Sequence, residues 1–401
     1  MPKAILTLNA GSSSIKFALY ERGIHARRLI SHGAIDGIGT EPHFAALAPD
    51  GTVLDEHLWN NGGALAHEEL LKPLLAWVTS HLGEESLDAV GHRIVHGGSR
   101  FCQPVCIDDA VLGELDALVP LAPLHQPHNI AAVRAMARLR PNLPQIACFD
   151  TAFHHAMPSV ATRLALPQRY AAEGVRRYGF HGLSYEYLMA CLRERAPALA
   201  TGRVIAAHLG NGASLCAIRN GVSIDTTMSF TTLDGLVMGT RCGSIDPGAL
   251  LYLQQVHKLD AGQLVHLLYH ESGLLGVSGI SSDMRVLHAS SDPRAKEAIE
   301  LFVYQIVRNI GALTASLGGL DALIFSAGIG EHMSDIRAAI CAGLAWLGVE
   351  CDDKANAQHA ALISTSHSRV HVCVIATDEE AMIATHTAHV LRQMSSPCET
   401  V

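Results

Sequence analysis

The chain carries few charged side chains for its length, 17% of 401 residues, and few aromatic ones, 5%. It has no run of basic residues, and its formal net charge at pH 7 is −9. Phosphate-backbone binding needs a dense positive face, so nucleic acid is excluded as the main partner, and any anionic substrate must be drawn by local arginines. No apolar run approaches the ~20 residues of a membrane span; the apolar segment Leu70 to Val78 is broken by Lys72 and Pro73. No Cys-x-x-Cys pair is present among ten scattered cysteines, the nearest two being Cys102 and Cys106, which argues for reduced thiols in a cytosol rather than a zinc or redox site. Nothing at the N-terminus resembles a secretory signal, because Asn9 and the serine run interrupt the first apolar strand too early. The Walker A pattern is missing too, since Ile15, Phe17 and Leu19 alternate as a strand where that motif needs a helix. A soluble, cytoplasmic, globular protein is expected, with 49% hydrophobic residues and length for about two to three domains. Histidine is abundant at 24 residues, so chemistry is assigned to one only where its neighbours support it.

The stretch from Ile5 to Phe17 reads as an apolar strand, a Gly/Ser turn and a second, alternating strand. Gly11, Ser12, Ser13 and Ser14 leave N–H and O–H donors around one concavity, and Lys16 adds a positive charge beside it. Anionic oxygen suits that concavity, although an ordinary Ser-rich hairpin turn satisfies the same pattern. Strands continue to about Asp55, and a helix is expected over Glu68 to Leu82, stopping at Gly83. A strand from Ala89 then runs into Gly97-Gly98 and leaves Arg93 and His96 near its tip, where sites in α/β sheets lie. Leu121 to Asn129 is Pro-rich and reads as an extended loop before a helix Ile130 to Leu139. The buried strand Gln145 to Phe149 delivers Asp150, either a helix cap or a functional carboxylate.

The second half repeats this grammar. Strand Arg203 to His208, glycine turn Leu209 to Ser214 and return strand Leu215 to Ile218 precede an Asn220-Gly221 hairpin turn and strand Val222 to Thr226. A strand from Asp321 ends in Ala327-Gly328-Ile329-Gly330-Glu331, and the helix after it is capped near Ser334 and stops at Gly348. The strand Val370 to Ile375 is followed by Asp378-Glu379-Glu380, acids at the start of a last helix running to about Met394. Two similar halves facing a cleft are expected, residues 1–152 completed by a C-terminal helix 381–401, and a nucleotide-binding half 153–380.

Asn9 to Lys16, Arg93 to Gly98, His208 to Ser214, Gly239 to Pro247 and Gly328 to Glu331, in this order, resemble the motifs of the acetate kinase family across nearly the whole chain. The resemblance implies an α/β, duplicated ribonuclease H-like fold of the actin, Hsp70 and sugar kinase type with an interdomain cleft. It also implies reversible phosphoryl transfer between ATP and acetate, giving ADP and acetyl phosphate, with propionate or another short carboxylate as the alternative acceptor. By the same resemblance, Asn9 and Glu379 hold Mg²⁺, or Mn²⁺ in its stead, and Ser12, Ser14 and Lys16 contact nucleotide phosphate. His208, Leu209, Gly210, Asn211 and Gly212, with Asp283, Met284 and Arg285 and with Gly328, Ile329, Gly330, Glu331 and His332, form the ATP-binding segments. Arg93 resembles the substrate-carboxylate ligand, Asp150 the catalytic carboxylate, and His181 and Arg241 the transition-state stabilisers. Val95, Leu124, Phe180 and Thr232 resemble the pocket for the alkyl group, and a homodimer through the second half is implied. The chain departs from the family pattern at Leu183, Tyr185, Thr232, Ser244, His332 and Asp378, none of which carries an implied chemical role except as pocket or nucleotide lining.

Such a transfer brings two anions together, so cations and positioning are what the site must supply. A carboxylic acid is already ionised at neutral pH and needs no general base. Asp150 is therefore expected to orient Mg²⁺ or its waters and an arginine, where the resemblance would make it a proton carrier. Val95 in place of a smaller residue favours acetate over propionate, by the ~1–3 kcal/mol that one methylene is worth.

Overall fold

Alternating apolar residues make Ala4–Ala10 (β1) and Ser14–Glu21 (β2) an antiparallel pair in which Asn9 stands opposite Lys16. The computed structural model to which they belong describes residues 3–11, 13–23, 28–59, 65, 67–82 and 87–395. Its chain divides into two units: residues up to Ala152 with those from Asp378 onward, and Phe153–Thr377. The second boundary thus falls at Asp378 and not at residue 381. The physical reason is a cap: the Asp378 carboxylate accepts from the Ala381 N–H at 2.8 Å and belongs with the last helix, Glu379–Ser395.

The first unit continues the antiparallel run through Leu29–Asp36 (β3), His43–Leu47 (β4) and Val53–Leu58 (β5). On the other side of β1 lie the parallel strands Leu87–Ile94 (β6) and Gln145–Phe149 (β8), with the short Val105–Cys106 (β7) at the edge, giving the order β5-β4-β3-β2-β1-β6-β8-β7. In the second unit Arg203–Leu209 (β9), Ala213–Arg219 (β10), Val222–Thr226 (β11), Ala322–Ser326 (β12) and His371–Val374 (β13) are ordered β11-β10-β9-β12-β13. Both sheets share one plan. A leading strand pairs antiparallel with its hairpin partner and parallel with a later strand, and that strand pairs parallel with another. The chain is therefore a duplicated α/β fold of the actin, Hsp70 and sugar kinase class. The turn Asn220-Gly221 has φ of 53° and 76°, the left-handed pair that a tight hairpin with right-handed strand twist demands.

Period two decides what each face buries. Ile15, Phe17 and Leu19 of β2 pack with Leu6 and Leu8 under the helices His67–Leu82 and Gln126–Leu139. Thr7, Asn9 and the glycine Gly91, which pairs with Thr7, face the other way, toward the last helix. The stop expected at Gly83 lies outside the described residues. Two expectations need correcting. Helix Gln126–Leu139 starts four residues before Ile130, because Pro127 occupies its first turn, where no intrahelical N–H is required. Ser334 is the first residue of helix Ser334–Gly343 and not its cap, which is Met333 without a side-chain bond. Here the chain runs almost directly out of the preceding helix Ala327–His332, leaving no room for a separate capping turn.

Close approach at Gly91 seats the last helix. A Cβ there would lie 2.2 Å from Thr387 Oγ1 and 2.6 Å from Ile383 Cγ2. Gly91→Ala should therefore cost about 1–3 kcal/mol through overpacking, read as a lower Tm; an unchanged Tm would show that the helix is not pinned at this point. A second prediction concerns His92, His96 and His154, which are 2%, 0% and 1% exposed. Burial lowers each imidazole pKa to about 4. Below the unfolded value of about 6.5 the denatured chain takes up protons that the folded chain refuses. Their contribution to stability is whole above about pH 6.5 and falls away toward pH 4, at up to about 1.4 kcal/mol per pH unit per ring. Urea midpoints should decline over that window, and a flat profile down to about pH 5 would contradict the burial of these rings.

Candidate active site

In the first unit the parallel strands β1, β6 and β8 bring three functional side chains to their carboxyl ends. Asn9 and Arg93 are the penultimate residues of β1 and β6, and Asp150 directly follows β8. Glu379 opens the helix that covers the same face. Arg93 Nε donates to Asp150 Oδ1 and Oδ2, both at 3.1 Å, while Nη2 donates to Oδ2. Arg93 Nη1 donates to Asn9 Oδ1 at 3.1 Å, and Glu379 Oε2 lies 3.9 Å from Nε. The Asp150 side chain is 1% exposed and that of Arg93 19%. Burial works against the guanidinium charge, but the Asp150 and Glu379 carboxylates override it and hold Arg93 protonated well above the ordinary arginine range. The geometry shows the Asp150 carboxylate engaged with the Arg93 guanidinium.

Lys16 is exposed and lines a hollow of about 360 Å³ with Tyr20, Asp378 and Glu380. Burial and then the Glu379 charge raise the Glu380 carboxyl above the usual range, with Lys16 opposing them. Tyr20 Oη donates to Asp378 Oδ1 at 3.1 Å, so this departure from the family pattern both caps the last helix and ties it to β2. Ser14 closes the hairpin by accepting from the Gly11 N–H at 2.8 Å. Ser12 lies outside the described residues.

The second unit gathers a different set of groups. β9 ends in His208-Leu209, and the turn Gly210-Asn211-Gly212 returns the chain so that Ser214 stands opposite His208. His181 precedes helix Gly182–Arg195 with φ of 59°, a left-handed conformation unusual for a residue with a side chain. Its ring stacks on that of His208, centroids 4.2 Å apart and planes at 21°. His181 Nδ1 is 2.8 Å from Ser214 Oγ, and His208 Nδ1 is 2.8 Å from Ser184 Oγ, which in turn meets Thr377 Oγ1 at 2.8 Å. The other ring nitrogens face the glycine turn. A Cβ on Gly212 would come 3.5 Å from His181 Nε2 and 3.4 Å from Arg241 Nη2, and one on Gly210 would come 3.8 Å from His208 Nε2. Arg241 Nη1 donates to the Thr232 carbonyl at 2.8 Å, which fixes the fork. Asn211 is locked in turn: its carbonyl accepts from the Gly239 N–H at 3.1 Å, and a Cβ on Gly239 would lie 2.0 Å from Asn211 Oδ1. A guanidinium and two imidazole edges thus converge on the glycines of this turn, an arrangement suited to a multiply charged oxyanion.

The remaining expected residues are more dispersed. Asp283 caps helix Met284–Ala289 and pairs with the exposed Arg285, while Met284 is buried. Gly328, Ile329, Gly330, Glu331 and His332 belong to a helix, Ala327–His332, where the sequence suggested a strand ending in glycines. The cause is Ala327, whose φ of 62° turns the chain sharply out of β12, and Glu331, whose Oε1 accepts from the N–H groups of Ala327 at 2.7 Å and Thr377 at 3.1 Å. His332 is exposed and Gly328 faces open space. Val95 and Leu124 lie in the first unit, the former buried and the latter half-buried; Phe180, buried, and Thr232, half-buried, lie in the second. Sequence reasoning missed Arg337, fully buried and donating to the carbonyls of Gly330 at 3.0 Å and Glu331 at 2.8 Å. It sits on a helix legible only by its apolar stripe. It also missed His154, whose Nε2 donates to the Phe180 carbonyl at 2.9 Å, and the hydroxyls Ser184 and Ser214, whose signal was their place inside the histidine motifs.

Comparison with known proteins agrees with this geometry. The Acetokinase family model matches residues 4–385. An acetate kinase of Rhodopseudomonas palustris is 54% identical over 391 residues, 96% of this chain and 98% of its own. Among solved structures, a propionate kinase from Francisella tularensis superposes with a TM-score of 0.89 at 36% identity, covering 96% of this chain and 98% of that one. The acetate kinase of Porphyromonas gingivalis does so with a TM-score of 0.87 at 36% identity, covering 97% and 100%. With ends of β1, β6 and β8 that hold a paired arginine, and a glycine turn ringed by imidazole and guanidinium, this chain belongs to the acetokinase family.

Proposed function

We propose that the chain catalyses reversible phosphoryl transfer between ATP and acetate, giving ADP and acetyl phosphate. The observation that carries this reading is the convergence of Arg241 Nη2 and His181 Nε2 on Gly212. A γ-phosphoryl group flattening in an in-line transfer spreads charge over its equatorial oxygens, and a guanidinium with an N–H donor beside a bare glycine stabilises that charge. The acetate oxygen forms its bond to phosphorus as the bond from phosphorus to the β,γ-bridging oxygen breaks, and the electron pair leaves with ADP. No proton has to move, because acetate enters ionised.

Arg93 is assigned the acceptor carboxylate, and Asp150 the task of presenting the arginine fork, in keeping with its hydrogen bonds to the guanidinium. The oxygens of Asn9 and Glu379, which meet at the Arg93 guanidinium, are hard donors of the kind Mg²⁺ takes. Among the described residues no three His, Cys, Asp or Glu side chains form a closed cage, which suits an ion that keeps waters and takes substrate phosphate as ligand. Bound there, the ion would neutralise charge on the phosphate chain. A homodimer is supported by helix Pro247–Val256, which buries none of its residues and leaves Leu251, Tyr252 and Val256 more than half exposed. Light scattering should give the mass of two chains, and a single-chain mass would refute this. A propionate kinase among the similar structures keeps propionate as the second reading.

Purified protein with MgATP and each acid, trapped by hydroxylamine, tests all of this. Acetate should give acetohydroxamate with the higher kcat/KM; a higher value for propionate would reverse the acid, and no product from any short acid would overturn the reading. Asp150→Asn should raise KM for acetate about 10–100-fold, the loss of one charged hydrogen-bonded pair, and weaken the Mg²⁺ requirement. A fall in kcat with acetate and Mg²⁺ saturation unchanged would instead make Asp150 a proton carrier.

A further inference from the structure

Tyr185 stands in the same helix as His181, one turn on, and its ring is buried at 0% exposure among Leu188, Met189, Ala206, Cys216 and Ile218. Its hydroxyl meets Ser214 Oγ at 2.5 Å, and Ser214, itself 0% exposed, meets His181 Nδ1 at 2.8 Å. Three groups in line share two hydrogen bonds, and their direction is determined by what a buried phenol requires. A phenol has one O–H to donate, and leaving it undonated in an apolar core is unfavourable. Ser214 Oγ is the hydrogen-bond partner of the Tyr185 hydroxyl among the described residues. The phenol therefore donates to Ser214, the single serine proton turns to His181, and Nδ1 must accept it. The proton of the neutral imidazole then sits on Nε2, the nitrogen facing Gly212 and Arg241.

We propose that Ser214, with Tyr185 donating to it, is a positioning residue that fixes His181 as the Nε2–H tautomer, so that a hydrogen-bond donor faces the phosphoryl position. The assignment of the tautomer stands on the hydrogen-bond chain alone; only its use in catalysis rests on the phosphoryl transfer proposed above. The same chain resists protonation of Nδ1, which would put three protons into two hydrogen bonds and leave one buried hydroxyl proton without an acceptor. Groups facing His181 from the packed elements act alongside it: His208 stacked on its ring, Arg241 across Gly212, and Tyr185 itself, whose phenol is held far above its ordinary range by burial.

The test is ¹⁵N correlation spectroscopy of the imidazoles in the full chain, with the His181 signals identified by their loss in His181→Gln. The wild type should show an unprotonated Nδ1 and a protonated Nε2. Ser214→Ala removes the hydroxyl whose proton needs Nδ1, so His181 should become a mixture of tautomers and protonate at higher pH, with kcat about tenfold lower and KM for ATP unchanged. Tyr185→Phe leaves the Ser214 proton with Nδ1 as its acceptor and should keep the wild-type tautomer. A wild-type Nδ1–H signal, or a Ser214→Ala spectrum identical to wild type, overturns the proposal whatever the enzyme assay gives; a wild-type spectrum as expected without any acyl phosphate would overturn the reaction and leave the tautomer standing.

Discussion

The ion pair of Arg93 and Asp150 is the interaction on which the first unit's site depends. A guanidinium this enclosed is unfavourable alone, and a carboxylate with 1% exposure more so; each is tolerable because the other satisfies it in fork geometry. That mutual need constrains the backbone. The carboxylate must follow β8 immediately, the arginine must be on the neighbouring parallel strand and on the same face, and the register that pairs Arg93 with Cys148 achieves both. The last helix must then reach the same face with Glu379 at its start, which requires the bare Cα of Gly91 beneath Ile383 and Thr387. Specificity of this kind, rather than net stability, is what a buried pair contributes best.

Duplication supplied the two sheets, but their strand ends are chemically different. At equivalent hairpins, Asn9 faces Lys16 in the first unit, whereas His208 faces Ser214 in the second. The first unit ends its parallel strands in fixed charge, a cation matched to carboxylates. The second gathers imidazoles backed by hydroxyls around its glycine turn, with one guanidinium held by the Thr232 carbonyl. On the proposed reaction, fixed charge of the first kind suits a carboxylate, and polar N–H groups of the second kind suit charge that develops on a phosphoryl group.

Most of this architecture was legible because its signals are local. Period-two strands, glycine turns such as Asn220-Gly221, and acids at the start of the last helix can be read without knowing what packs where. Asn9, Arg93, Asp150 and Glu379 were legible as strand-end or helix-start residues, and the structure puts them in one cluster. What escaped was set by tertiary context. Arg337 reads as a solvated charge on an amphipathic helix, yet it is wholly buried because two carbonyls and Asn356 receive its donors. Ala327 gives no sequence hint of a left-handed backbone, so the helix Ala327–His332 was invisible; an alanine is held there only because Glu331 takes up the N–H groups that the sharp turn exposes. Pro127 misled in the opposite direction, since the ring that breaks a helix interior is welcome in a first turn.

A chain with net charge −9 that handles ATP and an organic acid has to keep its attraction for anions short-ranged. In the proposed reaction the two arginines would do this with their charge, and a histidine held as the neutral Nε2–H tautomer would do it without any. An imidazolium beside Arg241 would add attraction for phosphate, but it would bind reactant and product as strongly as the transition state and would compete with its neighbour for the same oxygens. A neutral ring with its proton directed at the reacting group contributes little to ground-state binding and more as charge accumulates on the equatorial oxygens. Burying Ser214 and Tyr185 behind His181 is consistent with that requirement, because hydroxyls can orient a proton without contributing a charge of their own.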